Sequence, residues 1–447
     1  MKIQSPPGMR DFYPDQMCVQ NWLFDLWRSV SRSYGFQEYE GPIFEYLDLY
    51  RLKSGEGIVS EVFAFQDRGG REFAIRPEMT PTLARMVAAR ANALPRPIKW
   101  FSIPRMCRAE KPQRGRLREF FQWNADVLGS EDALADAEVI AVAVEFFRRA
   151  GLRDEEFVVR VNHRELAAEV LAAHGIDTER QQAAFQLIDR ADRLGELEFA
   201  RQWNESFAAS LPADSLRALL ADDDLERCCA HAQRAGQAGA AAAQALRQLW
   251  ERLEQLGVRP ACAFDLSIVR GLAYYTGTVF EAHMRQGGLR ALAGGGRYDN
   301  LTGLLDGPRV PGVGFGMGDA PVLEALRQLG RLPQASEQLD VFVIDADANL
   351  FPRALTITQH LRRAGLAADY SYRRATIGKQ LKEAAGRRAR FALIIGEELD
   401  QRGELGLKDL ETGAQRAVRL DTITSDPRAV IGVGGPMPGN TGVSPVA

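Results

Sequence analysis

The chain has 447 residues, of which 46% are hydrophobic and 26% are charged, and its formal net charge is −3 at pH 7. This length suffices for two or three domains that each bury a core. The charge excludes a protein that coats nucleic acid non-specifically, because such affinity comes mainly from neutralised phosphates. No segment approaches the roughly 20 apolar residues of a membrane span, and no leader-like apolar run follows the first basic residue, so we expect a cytoplasmic protein without a membrane partner.

The first part of the chain, residues 1–164, mixes amphipathic helices with short strands. Helical spacing covers Gln20 to Tyr34, whereas Glu72 to Ile75, the segment around Trp100 to Ile103 and Phe157 to Val161 have the composition and bounding residues of strands. These patterns predict an antiparallel sheet with flanking helices.

Residues 165–257 have an almost continuous helical pattern that is rich in alanine, arginine, leucine and glutamate. The apolar spacing of three and four residues describes one buried helix face made of Leu246, Leu249, Trp250, Leu253 and Leu256. We predict a helical insertion that interrupts the sheet domain, which then resumes over residues 258–329.

After a short linker, strands alternate with a helical stretch over residues 337–424, which predicts a small α/β domain. Residues 425–447 hold several glycines and prolines and few large apolar side chains, so we expect a disordered tail there. The five scattered cysteines and five histidines lack the spacing of metal ligands, which predicts reduced thiols and no structural metal. A redox pair is the alternative for Cys228 and Cys229.

Four short blocks interrupt these patterns with glycine, arginine and tyrosine where packing alone would place leucine or valine. They are residues 76–80 (RPEMT), 108–120 (RAEKPQRGRLREF), 270–281 (RGLAYYTGTVFE) and 294–299 (GGGRYD). Guanidinium groups suit phosphate geometry and stay charged at any working pH, so the arginines predict an anionic ligand. A solvated basic hairpin is the alternative for residues 108–120.

The four blocks, in this order, resemble the signature blocks of the histidyl-tRNA synthetases, a family of class II aminoacyl-tRNA synthetases. The resemblance implies an α+β catalytic core with an antiparallel sheet, the helical insertion and a small α/β anticodon-binding domain. It also implies a homodimer, because residues 40–45 (EGPIFE) are similar to the element at the family's dimer interface. An X-Pro turn is the local alternative at Pro42.

The resemblance further implies ATP-dependent attachment of L-histidine to tRNA(His) through a histidyl-adenylate, with Mg²⁺ as a cofactor. Arg108 would hold the α-phosphate of ATP, and Arg270 would stabilise negative charge during attack on that phosphate. A salt bridge from Arg270 to Asp265 or Glu281 is the structural alternative. The remaining residues that the resemblance implies are, for ATP, Glu110, Arg116 and Phe120; for the histidine α-amino group, Glu78, Thr80 and Gln122; and for its imidazole, Asp126, Tyr275 and Tyr298.

Two positions depart from the family pattern. At the position of Asp126 the family more often has glutamate. The aspartate side chain is shorter by about one methylene, so its carboxylate reaches less far toward the ligand. The family's third motif usually ends in an arginine that contacts the ATP triphosphate, but here Asp319-Ala320-Pro321 follows Gly318. Proline cannot donate, so another cation is needed there, and we name Arg116, Arg118 and Arg297 as candidates.

Contacts with tRNA are predicted at two places. Gln113 and Arg114 fall in the loop that approaches the acceptor end in the family. In the C-terminal domain, Arg373, Arg374 and Lys379 begin a basic segment whose density suits RNA phosphates, with a solvated helix face as the alternative.

The sequence therefore predicts a histidine–tRNA ligase. The alternative is a non-catalytic paralogue that senses histidine, such as the regulatory subunit of ATP phosphoribosyltransferase. An RNA-binding module without ATP chemistry is a third hypothesis, motivated only by Pro321.

Overall fold

The computed structural model describes residues 4–54, 61–112, 115, 117–269, 274–333, 338–373 and 375–432. The chain divides into two compact units, residues 1–334 and 335–447.

The first unit combines strands with many helices. Its strands are β1 Gln37–Glu38, β2 Phe44–Tyr46, β3 Ala64–Gln66, β4 Glu72–Ile75, β5 Ile98–Ser102, β6 Arg105–Cys107, β7 Glu119–Leu128, β8 Phe157–His163, β9 Cys262–Phe264, β10 Thr278–Met284, β11 Ala293–Arg297 and β12 Gly312–Gly318. Its helices are α1 Pro14–Ser33, α2 Leu47–Ser54, α3 Thr80–Arg90, α4 Ala133–Arg149, α5 Arg164–Ala173, α6 Thr178–Asp189, α7 Ala191–Leu194, α8 Glu196–Phe207, α9 Ala213–Leu220, α10 Leu225–Ala235, α11 Gln237–Gln255 and α12 Asp319–Gln328.

Within the described residues, nine of these strands form one large sheet in the order β1-β5-β7-β12-β11-β10-β8-β9, with β6 paired to β7. The sheet is mixed and not purely antiparallel, because β1 joins β5 and β9 joins β8 in parallel. Strands β2, β4 and β3 form a separate small antiparallel sheet.

Helices α1 and α4 pack with one face of the large sheet. Trp27 of α1, Trp123 of β7 and Phe146 of α4 are fully buried there, and the rings of Trp27 and Trp123 lie 5.9 Å apart. The indole N–H of Trp123 donates to the Ser31 hydroxyl at 3.0 Å, so the polar atom of this core ring is satisfied. The opposite face of the central strands is therefore left for a ligand.

The helices α5 to α11 follow β8 and precede β9, so they interrupt the chain between two neighbouring strands of the sheet. Leu246, Leu249 and Leu253 of α11 are fully buried, as the helical spacing predicts, and Trp250 is partly buried. The prediction is wrong for Leu256, which is 40% exposed, because α11 ends at Gln255 and Leu256 is its C-cap. Gly239 permits α10 and α11 to approach closely, because a Cβ there would lie 1.9 Å from the Ala232 carbonyl oxygen.

The second unit is a sheet with helices on both faces. Its strands are β13 Leu339–Asp345, β14 Ala368–Tyr370, β15 Ala389–Ile395, β16 Glu404–Asp409 and β17 Gln415–Arg419, and its helices are α13 Phe351–Arg363, α14 Ile377–Gly386, α15 Glu398–Arg402, α16 Leu420–Ser425 and α17 Pro427–Ile431. The order is β14-β13-β15-β16-β17, in which β14 and β15 flank β13 in parallel.

The expectation of a disordered tail from residue 425 is wrong for its first residues. Helix α17 occupies Pro427–Ile431, its N-cap Asp426 accepts from the backbone N–H of Ala429, and Ile431 is buried in the core of the second unit. The buried Pro427 and Ile431 and the Asp426 cap thus order a segment that composition alone assigned to the tail. Residues 433–447 lie outside the described part of the chain.

Candidate active site

Strand β7 divides its side chains between the core and a cleft. Trp123, Ala125 and Val127 belong to the hydrophobic core, whereas Gln122, Asn124 and Asp126 line the cleft. This is the period of two that an extended strand imposes. Polar residues at alternate positions of a buried strand are therefore the local signal for this wall of the site.

Strand β12 next to β7 has glycine at every second position, at 312, 314, 316 and 318. A Cβ at Gly314 would lie 1.8 Å from Asp126 Oδ1, and one at Gly316 would lie 2.7 Å from Gln122 Cδ. The glycines thus leave the space that the longer side chains of β7 occupy. The intervening Val313, Phe315 and Met317 are buried in the core.

The cleft above these strands has a volume of about 640 Å³. It brings together nine residues that the sequence predicted, namely Glu78, Thr80, Arg108, Glu110, Phe120, Gln122, Asp126, Tyr275 and Tyr298. They come from α3 and the turn before it, from the hairpin of β6 and β7, and from the segments around β10 and β11. Four further predicted residues of this unit, Gln113, Arg114, Arg116 and Arg270, lie outside the described residues.

Asp126 and Tyr298 form a buried polar pair in the cleft. The Tyr298 hydroxyl donates to Asp126 Oδ1 at 2.6 Å, and Asp126 is 3% exposed. Burial raises the pKa of the Asp126 carboxyl to about 7, although the hydrogen bond from Tyr298 acts in the opposite direction. The pair can accept a hydrogen bond from a ligand, and its protonation changes near neutral pH.

Arg108 is held between two of the predicted blocks. Its Nε donates to the carbonyl of Pro77 at 3.0 Å, and its guanidinium lies 5.0 Å from the centre of the Phe120 ring. Arg76 fixes the first of these blocks, since its Nη1 donates to Glu40 Oε1 at 2.5 Å and its Nε donates to the carbonyl of Arg105 at 3.0 Å. A cation and an aromatic ring are thus presented together on one wall.

The segment that replaces the expected third-motif arginine has a structural role. Asp319 is fully buried and accepts from Arg10 Nη2 at 2.7 Å and from the backbone N–H of Phe121 at 3.1 Å. Pro321, two residues further, has no N–H to donate. The start of α12 lines the cleft through Ala320 and Pro321, and one of its first backbone donors is therefore missing.

Two of the cations that we named as substitutes are engaged elsewhere. The Arg297 guanidinium donates to Asp136 Oδ1 at 3.1 Å and to the carbonyl of Ser130 at 2.9 Å. Arg118 Nε donates to the carbonyl of Glu110 at 3.0 Å. Neither residue is among the described residues that line the cleft.

Sequence reasoning missed several cleft residues, among them Asn124, Tyr274, Glu281, His283 and Arg290. Glu281 and His283 alternate along β10 with the core residues Phe280 and Ala282, and His283 Nε2 lies 3.0 Å from Glu281 Oε2. The same period of two could have found them. Arg290 precedes β11, where no periodic pattern marked it.

The predicted tRNA contacts of the second unit are exposed. Arg373 follows β14 and Lys379 lies in the first turn of α14. Arg374 lies outside the described residues.

The described part of the chain contains no group of three or more His, Cys, Asp or Glu side chains that could hold a metal ion. Among these residues there is also no helix whose length and apolar character would let it cross a membrane. All five cysteines are unpaired, and burial raises the pKa of Cys228 to about 12 and of Cys229 to about 11, so neither thiol is activated.

Comparison with known proteins gives the same family over both units. Residues 8–321 match the family model described as histidyl-tRNA synthetase, and residues 338–425 match the one described as anticodon binding domain. The chain is 41% identical to a histidine–tRNA ligase of Opitutus terrae over 94% of its own length and 97% of the relative. It is 35% identical to a histidine–tRNA ligase of Thermoplasma volcanium over the same shares.

Solved structures agree with these matches. The crystal structure of a histidyl-tRNA synthetase from Nostoc sp. superposes with a TM-score of 0.78 at 25% identity, and the match covers 96% of this chain and 100% of the other. A Bacillus halodurans protein described as an ATP phosphoribosyltransferase regulatory subunit/histidyl-tRNA synthetase has a TM-score of 0.71 at 24% identity, covering 89% of this chain and 99% of the other. The latter likeness shows the fold alone.

The raised pKa of Asp126 predicts a pH-dependent stability. The unfolded carboxyl ionises near pH 3.8 and the folded one near pH 7, so the wild-type protein loses free energy of unfolding as the pH rises through this window. Asp126→Asn keeps the acceptor for Tyr298 and removes the ionisation. We expect the variant to gain about 4 kcal/mol relative to wild type between pH 4 and pH 8, measured by urea unfolding. Asp223→Asn, an exposed control, should show no such gain; an equal gain there would contradict the assignment.

Proposed function

The chain belongs to the histidyl-tRNA synthetase family, and we propose that it attaches L-histidine to its tRNA in an ATP-dependent reaction through a histidyl-adenylate. The observation that carries this proposal is the single cleft that joins a buried carboxyl–phenol pair to an arginine stacked on an aromatic ring. The carboxyl–phenol pair suits an imidazole, and the arginine with its aromatic ring suits a nucleotide.

We propose that Asp126 and Tyr298 bind the imidazole, with Tyr275 beside them. An imidazole N–H that donates to the Asp126 carboxylate satisfies a buried acceptor, whereas an amino acid without such a donor leaves it unpaired. That mismatch costs roughly 1–3 kcal/mol, which is the source of discrimination. Glu78, Thr80 and Gln122 are proposed to hold the α-ammonium group, because they line the same cleft with one carboxylate and two neutral acceptors.

At the nucleotide end, we propose that Arg108 binds the α-phosphate, Phe120 stacks on the adenine and Glu110 accepts from its amino group. Arg116 is proposed as a further ATP contact. Mg²⁺ is proposed to enter with ATP, because this ion needs only one or two carboxylates when phosphates supply its other ligands. The carboxylate of Glu281 in the cleft fits that requirement, and the bound ion would supply positive charge beside the phosphates.

The reaction is proposed to be in-line attack of the histidine carboxylate on the α-phosphate, followed by attack of a ribose hydroxyl of the tRNA on the adenylate. The chain's contribution is orientation of both substrates and fixed positive charge. We propose that Arg270 supplies charge at the reacting phosphate and that Gln113 and Arg114 contact the acceptor end of tRNA. Arg373, Arg374 and Lys379 are proposed to contact its anticodon arm.

The regulatory-subunit alternative is not favoured. The chain matches histidine–tRNA ligases over 94% of its length and carries an anticodon-binding unit. It also keeps Arg108 in the cleft. We propose a cytoplasmic location, since five unpaired cysteines suit a reducing compartment.

The proposed activity can be tested by exchange of labelled pyrophosphate into ATP. We expect exchange that requires L-histidine. Gly314→Ala should reduce it about a hundredfold and raise the KM for histidine, because the new Cβ displaces Asp126 and a misplacement of about 1 Å has an effect of this size. Gly303→Ala adds a methyl group in open space and should change exchange less than about twofold. Histidine binding without any exchange in the wild type would refute the ligase function in favour of a sensor.

We propose that Arg290 supplies the cation that Pro321 cannot. Arg290 precedes β11 by three residues, and Ala320 and Pro321 directly follow β12, which pairs with β11. Arg290, Ala320 and Pro321 all line the cleft. Since Pro321 has neither a cationic side chain nor an N–H, an arginine on the neighbouring segment is the group suited to bind the triphosphate.

Arg290→Ala is therefore expected to lower kcat/KM for ATP by about ten- to a hundredfold, which is the scale of one charge-assisted hydrogen bond. The KM for histidine should stay nearly constant. Arg285→Ala removes an exposed arginine from the same connection between β10 and β11 and serves as the matched control. Equal effects of the two variants on ATP would overturn the role of Arg290.

We propose that the chain forms a homodimer through the small sheet. Phe44 and Tyr46 point to one face of β2 and are 45% and 53% exposed, and Phe65 beside them is 42% exposed. The rings of Phe44, Tyr46 and Phe65 each lie between 5.0 and 5.8 Å from the ring of Phe73. A contiguous exposed aromatic face of this kind is typical of a protein interface.

Sedimentation equilibrium should accordingly give twice the mass of the chain. Phe44→Glu/Phe65→Glu places two charges in the aromatic face, and we expect this variant to sediment as a monomer at micromolar concentration. Leu197→Glu changes a leucine that is 89% exposed on α8 and should remain dimeric. A dimer that survives the double substitution would exclude this face as the interface.

A further inference from the structure

The carboxyl ends of three parallel strands meet at one edge of the second unit. Strand β13 ends at Asp345, β14 at Tyr370 and β15 at Ile395, and β13 lies between the other two. The connection from β13 leads to β14 on one side, whereas the connection from β15 leads to β16 on the other side. In open sheets, ligands bind outside the carboxyl ends of the strands near such a reversal.

Tyr372 stands at this edge with 76% of its surface exposed. Among the described residues of the second unit, no other large apolar or aromatic side chain is as exposed. Its ring lies 5.4 Å from that of Tyr370, which in turn contacts Phe351 edge-on at 5.8 Å and carries Arg362 over its face at 5.5 Å. Tyr370 is held by its contacts with Phe351 and Arg362, and the exposed ring of Tyr372 packs against it.

The backbone around Tyr372 is fixed on both sides. The Ser371 hydroxyl is buried, accepts from the backbone N–H of Arg373 at 3.2 Å and lies 2.7 Å from Glu383 Oε2. Beyond the turn, the buried Gln380 donates through Nε2 to the carbonyl of Ala375 at 2.8 Å and to that of Asp345 at 2.9 Å. The exposure of the ring is therefore a consequence of a hydrogen-bonded turn, which lowers the entropy that a partner must remove on binding.

Cationic side chains lie close to Tyr372 along the chain. Arg373 follows it directly, and Lys379 and Lys382 are exposed on α14, which begins four residues beyond Arg373. A flat aromatic surface with neighbouring cations is the combination that binds single-stranded nucleic acid, since the base stacks and the phosphates are neutralised. A protein partner would be expected to need a larger apolar patch than one ring.

We propose that Tyr372 is a stacking platform for one unstacked base of the tRNA anticodon loop. This inference rests on the proposed ligase function and deepens it by naming the group that contacts the RNA base. Because every base has an aromatic face, Tyr372 contributes affinity, and the choice among bases falls to other groups at the same edge.

The experiment compares Tyr372→Ala with Tyr372→Phe in the full-length chain. We expect the alanine variant to lower kcat/KM for tRNA in histidylation by about tenfold, the scale of one base stack. The phenylalanine variant keeps the ring and should stay within about twofold of wild type. Leu355→Ala, an exposed leucine on α13, is the control.

Pyrophosphate exchange separates this inference from the proposed function, because it needs no tRNA and should be unchanged in all three variants. An RNA hairpin with the anticodon loop, carrying 2-aminopurine at one loop position at a time, locates the stacked base by fluorescence quenching that Tyr372→Ala abolishes. The inference is overturned if Tyr372→Ala histidylates tRNA like wild type, or if Tyr372→Phe loses as much as alanine, since the hydroxyl and not the stack would then matter.

Discussion

The candidate active site depends on one constraint, which is that the β12 face toward the cleft carries no side chains. Adjacent strands of a sheet lie about 4.8 Å apart. A side chain that extends across the adjacent strand therefore requires a residue without a side chain at that position of the adjacent strand. Gly314 and Gly316 meet this need beneath Asp126 and Gln122. On the other face of the same strand, Phe315 and Met317 fill the core. One strand therefore satisfies packing and ligand binding at once, because its two faces obey different requirements.

The fold could be predicted from the sequence in those segments where a single apolar periodicity dominates. Apolar periodicity located the helical insertion and some of the strands, and four short blocks located nine residues that converge in one cleft. Cross-strand relations were not predictable from local spacing. The parallel pairing of β1 with β5 and the presence of Arg290 and Pro321 in one cleft depend on which strands become neighbours, and the chain order does not encode this directly.

Pro321, at the position of the family's third-motif arginine, illustrates the same limit of prediction from local sequence. Pro321 indicated a missing donor, and the sequence offered Arg297 and Arg118 as replacements because they lie near other motif residues. Their hydrogen bonds to Asp136 and to the Glu110 carbonyl could be known only from tertiary contacts. Similarly, the exposed Tyr372 resembles any loop tyrosine in the sequence. The exposure of its ring depends on Ser371 and Gln380, whose hydrogen bonds fix the turn. No motif marked either of these two residues.

The ion pair between Arg10 and Asp319 joins residues 309 positions apart and buries the carboxylate completely. A change at Arg10 alone would leave the buried Asp319 carboxylate without its counterion, which is strongly unfavourable. The Arg10 side chain is 25% exposed, so water can solvate it when Asp319 is replaced. Evolutionary exchange at the two positions should therefore be asymmetric, with loss of Asp319 preceding loss of Arg10.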